Sequence, residues 1–254
     1  MKMCAFCPTQ AAKLSREHIW DNWLNPALPT RRFRVRQRRS QDQPFREYDA
    51  TVLQEKLEVV CENCNHTWMS DLSNRVRQAY SAQIIDGAAL TLGPDDAALL
   101  GAYAFMKSVV ADHATPRDER FFSQEVLEQF RRTLAIPPNV RMWIASYQGE
   151  RRFGGRFHNA ILTPNEASIL DGIEYYVFNY VVGHLVLQMH AVRWRDGRRA
   201  FAPVPKPDPY WDPAVIQFWP YSEPVSWPPK KRIGDNTLET LMNRFSLPIS
   251  VPAF

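Results

Sequence analysis

The stretch Cys61-Glu62-Asn63-Cys64-Asn65-His66 repeats the cysteine spacing of Cys4-Ala5-Phe6-Cys7, and together the two stretches hold every cysteine of the chain. A gap of two residues lets both thiolates of a pair turn towards one ion, and two such pairs complete the closed tetrahedral shell that structural zinc prefers. We therefore predict a structural Zn²⁺ ion bound by Cys4, Cys7, Cys61 and Cys64. An iron–sulfur centre or unrelated free thiols are the alternatives.

Composition places the chain among folded globular proteins, since 45% of its 254 residues are hydrophobic and 23% are charged. No apolar run approaches the roughly 18 residues that a membrane span needs, and the first residues lack the apolar core of a signal peptide. These features predict a cytoplasmic protein with no membrane association. In that reducing compartment, paired cysteines are read as metal ligands rather than as disulfides.

The cysteines also suggest how the chain is divided. Residues 1 to 80 hold all four of them and little continuous apolar sequence. Such a segment needs a metal ion because it cannot build a sufficient core of its own. We predict a zinc-stapled module over residues 1–80 and a larger mixed α+β region over residues 81–254, whose role the sequence leaves open.

Three helices are predicted after the cysteine-containing segment. Apolar residues at helical spacing follow Pro94 as far as Val110 and predict a long buried helix. A second helix is expected to begin at Ser123 as its cap. A third is predicted over residues 235–245.

Strand patterns cover residues 140–147, 152–162 and 173–194. The last of these either reverses direction at Gly183 or twists through it. Prolines are frequent beyond Phe201, and because proline cannot donate to a sheet ladder, this part is predicted to be an irregular surface wrap rather than the core of a sheet.

A run of basic residues raises the question of nucleic-acid binding. Six arginines fall between residues 31 and 39, where charged and uncharged residues alternate. In an extended strand this alternation gathers one set of them on a single face that can meet phosphates. The set is Arg32, Arg34, Arg36 and Arg38. The alternative is a solvated edge strand kept monomeric by its charge. A net charge of +4 and a pI near 8.9 are too mildly basic to decide.

A further group of polar residues accompanies the cysteine pairs. Leu14-Ser15-Arg16-Glu17-His18 lies between the pairs, and Asn65 directly follows the second pair. With the cysteines, this order of residues resembles the zinc-bound branch of the HNH, or ββα-metal, endonucleases. The resemblance covers about residues 4 to 75, and its motifs are specific in combination.

The resemblance implies a treble-clef-like ββα-metal module with an active site. His18 would be the general base that takes a proton from the attacking water. Glu17 and Asn65 would hold a second, catalytic ion, Mg²⁺ or Mn²⁺ because the ligands are oxygens. In many family members an asparagine before the second cysteine pair pins the loop of the base. Lys56 stands at that position here, and its role is unassigned.

The function implied by the resemblance is metal-dependent hydrolysis of DNA phosphodiester bonds, in a setting such as bacterial restriction or phage defence. Two alternatives stay open: an RNA-directed or toxin-like nuclease, and a zinc module that binds nucleic acid or protein without catalysis. A binding module needs no base, which favours the nucleases. A plain helix entry at Ser15, with Glu17 in its first turn, is the alternative for the motif itself. The sequence also leaves open whether the chain acts with a partner subunit or as a homo-oligomer.

Overall fold

Small sheets and a few helices alternate along the chain in a computed structural model that describes residues 1–28, 33–37, 46–50, 55–113, 120–150, 153–161, 173–194 and 214–243. They form two compact units, one of Met1–Ala79 and Phe105–Ala135 and the other of Tyr80–Ala104 and Ile136–Phe254. The mixed α and β content confirms the predicted class, and the finer assignment to a ββα-metal module stays a prediction. None of the helices in the described ranges is long and apolar enough to cross a membrane.

The first unit is built from short strands and a few helices. Its elements are β1 (Lys2–Met3), β2 (Gln10–Ala11), β3 (Ser15–His18), α1 (Leu24–Ala27), β4 (Phe33–Gln37), β5 (Arg46–Ala50), β6 (Lys56–Val60), α2 (Glu62–Cys64), a π-helical turn (Asn65–Met69), α3 (Ser70–Asp86), α4 (Pro94–Asp112) and α5 (Gln124–Thr133). The strands pair antiparallel, β1 with β2, β3 with β6 and β4 with β5. The chain leaves this unit within α3 and returns to it within α4.

The ladder of β3 and β6 lies between the two cysteine pairs in sequence. Its register sets His18 opposite Lys56 and Ser15 opposite Val60, and it leaves Val59 of β6 without a partner in β3. The carbonyl of Val59 instead accepts a hydrogen bond from the backbone N–H of Ala5 (2.8 Å), which ties β6 to the first cysteine pair. A bulge of this kind redirects backbone groups locally. Because Ser15 lies in strand β3, the alternative of a helix entry at this residue is wrong.

Aromatic packing supplies the core of the first unit. Phe6 lies edge-on against Trp68, with ring centroids 5.0 Å apart, and Trp68 lies edge-on against Phe130 of α5 at 5.9 Å. Ser123 caps α5, as predicted, by accepting a hydrogen bond from the N–H of Val126. Residues 105–135 thus help to bury the cysteine-containing segment, which alone has little continuous apolar sequence.

The second unit contains a five-stranded antiparallel sheet with the order β12-β8-β11-β10-β9. Its elements are β7 (Leu90–Leu92), β8 (Val140–Ser146), β9 (Phe153–Ile161), β10 (Ile173–Val182), β11 (Leu185–Trp194), β12 (Val215–Trp219), β13 (Val225–Trp227) and α6 (Asp235–Asn243). Buried side chains of β8, β10, β11, β12 and α6 form one core cluster. The predicted strands β8 to β11, the long helix α4 and the final helix α6 are confirmed.

The prediction for the proline-rich stretch is wrong for its described part. β12 joins the edge of the main sheet beside β8, and β13 pairs with β7. Pro220, Pro224 and Pro228 lie outside the two strands, so their missing N–H groups interrupt neither ladder. Residues 201–213 lie outside the described residues.

The turn between β10 and β11 settles the open question at Gly183. The register continues to Val182 opposite Leu185, so Gly183 and His184 form a two-residue hairpin loop. Gly183 has φ +57, and an added Cβ would lie 1.9 Å from the carbonyl oxygen of Ile84. Glycine is needed here for both its conformation and its small size.

We expect Gly183→Ala to lower the free energy of unfolding by about 2 kcal/mol or more, because left-handed backbone and a backbone clash combine. Gly234→Ala is the matched control, since an added Cβ there would meet nothing within 4 Å. Urea unfolding of both variants measures the difference. Equal stability of the two variants would contradict the structural reason given for Gly183.

Candidate functional site

The four cysteines lie together near the N-terminus, and all of them are buried. Their Sγ atoms are all within 4.8 Å of one another, and those of Cys7 and Cys61 are 3.6 Å apart. A zinc ion with four Zn–S distances of about 2.3 Å would set its sulfurs about 3.8 Å apart. The cysteines therefore lie close enough together to bind zinc.

Backbone groups stabilise this cluster. The N–H of Cys61 donates to Sγ of Cys4 (3.2 Å), and the N–H of Cys64 donates to Sγ of Cys61 (3.5 Å), which also makes Cys61 the cap of α2. A hydrogen bond from the Cys64 thiol is the main cause that lowers the pKa of Cys4 to about 5, and the same bond raises the pKa of Cys64, while burial raises the pKa of Cys61. Thiolates are the form that binds a metal ion.

The second group of polar residues is organised around a buried lysine that sequence reasoning missed. Lys107 of α4 is fully buried, and its Nζ lies 2.8 Å from Oε1 of Glu17 and 2.6 Å from Oδ1 of Asp21. Both carboxylates are themselves buried. Ser73 of α3 adds a hydrogen bond to Oδ1 of Asp21 at 3.4 Å. The contact with Lys107 thus holds the Glu17 side chain in place.

His18 ends β3 and is half-buried beside this cluster. Its carbonyl oxygen accepts a hydrogen bond from Nζ of Lys107 at 2.9 Å. Burial lowers the pKa of the imidazole, and the charge of the cross-strand neighbour Lys56 lowers it further, while the charge of Glu17 opposes this. The lowered pKa favours the neutral imidazole that a general base requires.

Asn65 lies in the first turn after the second cysteine pair, as the sequence indicates. Its Nδ2 donates to Oγ of Ser15 at 2.8 Å. Ser15 and Glu17 are two residues apart in β3 and therefore share a face of the strand. Asn65 thus contacts the face of β3 that also carries Glu17, although its hydrogen bond is to Ser15.

Other carboxylates and histidines form no comparable cluster in the described part of the chain. There, only the cysteines bring three or more Cys, His, Asp or Glu ligand atoms together at metal-binding distances. His66, next to Asn65, is exposed. The catalytic cation held by Glu17 and Asn65 therefore stays a prediction.

The predicted arginine face falls only partly within the described residues, since Arg32 and Arg38 lie outside them. Arg34 and Arg36 are in β4, as expected for an extended strand. The register sets Arg34 opposite Asp49 and Arg36 opposite Glu47 of β5. The strand β5 therefore supplies an acidic residue at each position paired with these two arginines.

The sequence contains one indication that Lys107 is important, namely its place inside a mostly apolar helix. It stands in Phe105-Met106-Lys107-Ser108-Val109-Val110, in a helix whose side chains are otherwise mostly buried. Lysine is almost never fully buried without a partner. Its presence there predicts a buried acidic partner, but the sequence does not say which one.

Comparison with known proteins gives no match: the chain fits no protein-family model, and it is not significantly similar to any curated protein or any solved structure.

Proposed function

We propose that this chain is a metal-dependent endonuclease that hydrolyses DNA phosphodiester bonds at a site formed by Glu17, His18 and Asn65. In this proposal His18 removes a proton from the attacking water, and Glu17 and Asn65 bind the ion. The four cysteines would bind a structural zinc ion, which would hold the first cysteine pair next to the second. A bound Mg²⁺ or Mn²⁺ would stabilise negative charge on the scissile phosphate and the leaving oxygen.

The observation that supports the proposal is the hydrogen bond from Asn65 to Ser15, a residue of the strand that also carries Glu17 and His18. The β3–β6 ladder brings the strand with Glu17 and His18 next to the helix that begins at the second cysteine pair, and Asn65 of that helix reaches the same strand. The cysteine cluster joins the first cysteine pair to the second pair, which follows the end of β6. Two paired strands and a helix, together with the four cysteines, support the proposal without deciding it.

The charge at the site is compatible with a further cation. Glu17 and Asp21 are two carboxylates paired with one ammonium, which leaves one negative formal charge in a buried cluster. Lys107 contacts Oε1 of Glu17. A carboxylate offers about four lone pairs on two oxygens, so the same side chain can accept a second electropositive partner. The charge of Glu17 also acts on the imidazole of His18.

A second candidate function is a zinc module that binds nucleic acid or protein without catalysis. The ion pair of Glu17 with Lys107 favours it, because the ammonium already neutralises part of the carboxylate that would bind the metal ion. Cleavage distinguishes the two candidates, since a binding module would retain DNA but would not hydrolyse it.

The experiment is cleavage of supercoiled plasmid by the purified chain with Mg²⁺ or Mn²⁺ supplied or withheld. We expect nicking only with the ion, and a rate at least about 100-fold lower for Glu17→Gln, because the carboxylate charge binds the ion. Glu62→Gln is the matched control, since Glu62 is an exposed glutamate between the two cysteines of the second pair. Cleavage that ignores the divalent ion, or a Glu17→Gln variant as active as wild type, would refute the proposed site.

DNA is the proposed substrate, with RNA as the alternative polymer that the same chemistry would cleave. Arg34 and Arg36 are the candidates for phosphate contacts within the described part of the predicted arginine face. A setting in bacterial restriction or phage defence follows from the resemblance alone.

A further inference from the structure

Each hydrogen-bond donor of the Lys107 ammonium group has an acceptor within reach. An ammonium group has three donors, and the three acceptors within reach are Oε1 of Glu17 at 2.8 Å, Oδ1 of Asp21 at 2.6 Å and the carbonyl oxygen of His18 at 2.9 Å. The side chain has no exposed surface. Burying a charge without such partners is strongly unfavourable, so these contacts determine where the ammonium lies.

All three acceptors belong to residues 17–21, the end of β3 and the turn that follows it. One contact fixes the carboxylate of Glu17, and another fixes the backbone at His18. A single ammonium therefore sets both the rotamer of the proposed metal ligand and the position of the residue that carries the proposed base. Lys107 itself lies in α4, far from both in sequence.

Lys56 of β6 does not hold His18 in place in this way. Lys56 stands opposite His18 in the ladder, where the resemblance implies a residue that pins the loop of the base, but it is exposed. Its charge acts on His18 through space. The backbone of His18 is instead held by a donor from another helix.

We propose that Lys107 is the positioning residue of the nuclease site, fixing Glu17 and His18 in the arrangement that catalysis needs; this inference rests on the proposed function. Lys107 contacts neither substrate nor metal ion. Its contribution is the pre-organisation of two side chains, and small displacements of catalytic groups are known to reduce rates by about 10²-fold.

The test compares Lys107→Met with wild type in cleavage of supercoiled plasmid at saturating Mn²⁺. Methionine keeps an unbranched side chain of similar length and removes the donors. We expect kcat per folded molecule to fall about 100-fold while KM for DNA changes by less than about threefold, because a buried residue that only positions others does not bind DNA. Ser108→Ala is the matched control: Ser108 is the equally buried neighbour, and its hydroxyl donates to the carbonyl of Phe105 in its own helix.

Two further variants keep the inference testable. If Lys107→Met does not fold, the double variant Lys107→Met/Asp21→Asn removes one unbalanced carboxylate and takes its place, with the same expected loss of kcat. Lys107→Arg keeps the charge and is expected to recover part of the activity.

A folded Lys107→Met protein with the kcat of wild type would overturn the positioning role while leaving the nuclease assignment intact. Failure of the double variant to fold would also overturn it, in favour of a purely structural lysine. A wild-type chain that cleaves no DNA would overturn the proposed function and this inference with it.

Discussion

His18→Ala is expected to reduce the rate of plasmid cleavage by about 10³-fold or more, because general-base catalysis alone contributes about 10² to 10⁴. His18 is half-buried at the end of β3, and its imidazole has a lowered pKa that keeps it neutral and able to accept a proton. The fold should survive, since the contact of Lys107 at this position is to the backbone carbonyl and not to the imidazole.

The control for this variant is His66→Ala. His66 is an exposed histidine next to Asn65, and the proposal gives it no role. We expect wild-type cleavage and wild-type zinc content from His66→Ala, and normal zinc content with lost cleavage from His18→Ala. Wild-type cleavage by His18→Ala would remove this histidine from the mechanism.

Cys61→Ser is expected to unfold the first unit. Zinc binding to four thiolates contributes about 10 to 16 kcal/mol in small zinc-dependent folds, which matches or exceeds the total stability of about 5 to 15 kcal/mol of typical domains. Cys61 takes part in three of the contacts of the cluster. Serine is chosen because it is itself a good helix cap, so the loss of the cap of α2 does not confuse the result.

Elemental analysis and near-ultraviolet circular dichroism measure this outcome. Wild type should contain about one zinc ion per chain, as four thiolates fill a tetrahedral site. Cys61→Ser should lose both the zinc and the tertiary signal of the first unit, and exposed Glu62→Gln should lose neither. A folded, zinc-free wild-type chain would contradict the role of the cluster.

Several features of this structure could be predicted because their causes are local. The cysteine spacing predicts the cluster, since each pair needs only two intervening residues to share an ion. Helical periodicity predicts α4 and the Ser123 cap predicts α5, and β-branched and aromatic runs predict β8 to β11. Each of the helix and strand patterns lies within about 20 residues of sequence, within which periodicity is informative.

The features that were missed depend on long-range contacts or on context. Lys107 contacts Glu17, which is 90 positions away, and no local pattern connects them. The strands β12 and β13 were missed because prolines surround them, and a proline count does not show that the prolines fall between the strands. At Ser15 the same residues fit a helix cap or a strand, and the pairing with β6 decides for the strand.

The proposed nuclease requires Glu17 and Asn65 to bind one catalytic cation near His18. Crystals of the zinc-loaded chain soaked in Mn²⁺ test it, by anomalous diffraction that distinguishes manganese from zinc. We predict zinc among the four cysteines and manganese within about 2 to 2.5 Å of an oxygen of Glu17 and of Asn65, distances typical of oxygen ligands. Manganese bound elsewhere, or no manganese at Glu17 while zinc fills the cysteine site, would contradict the account.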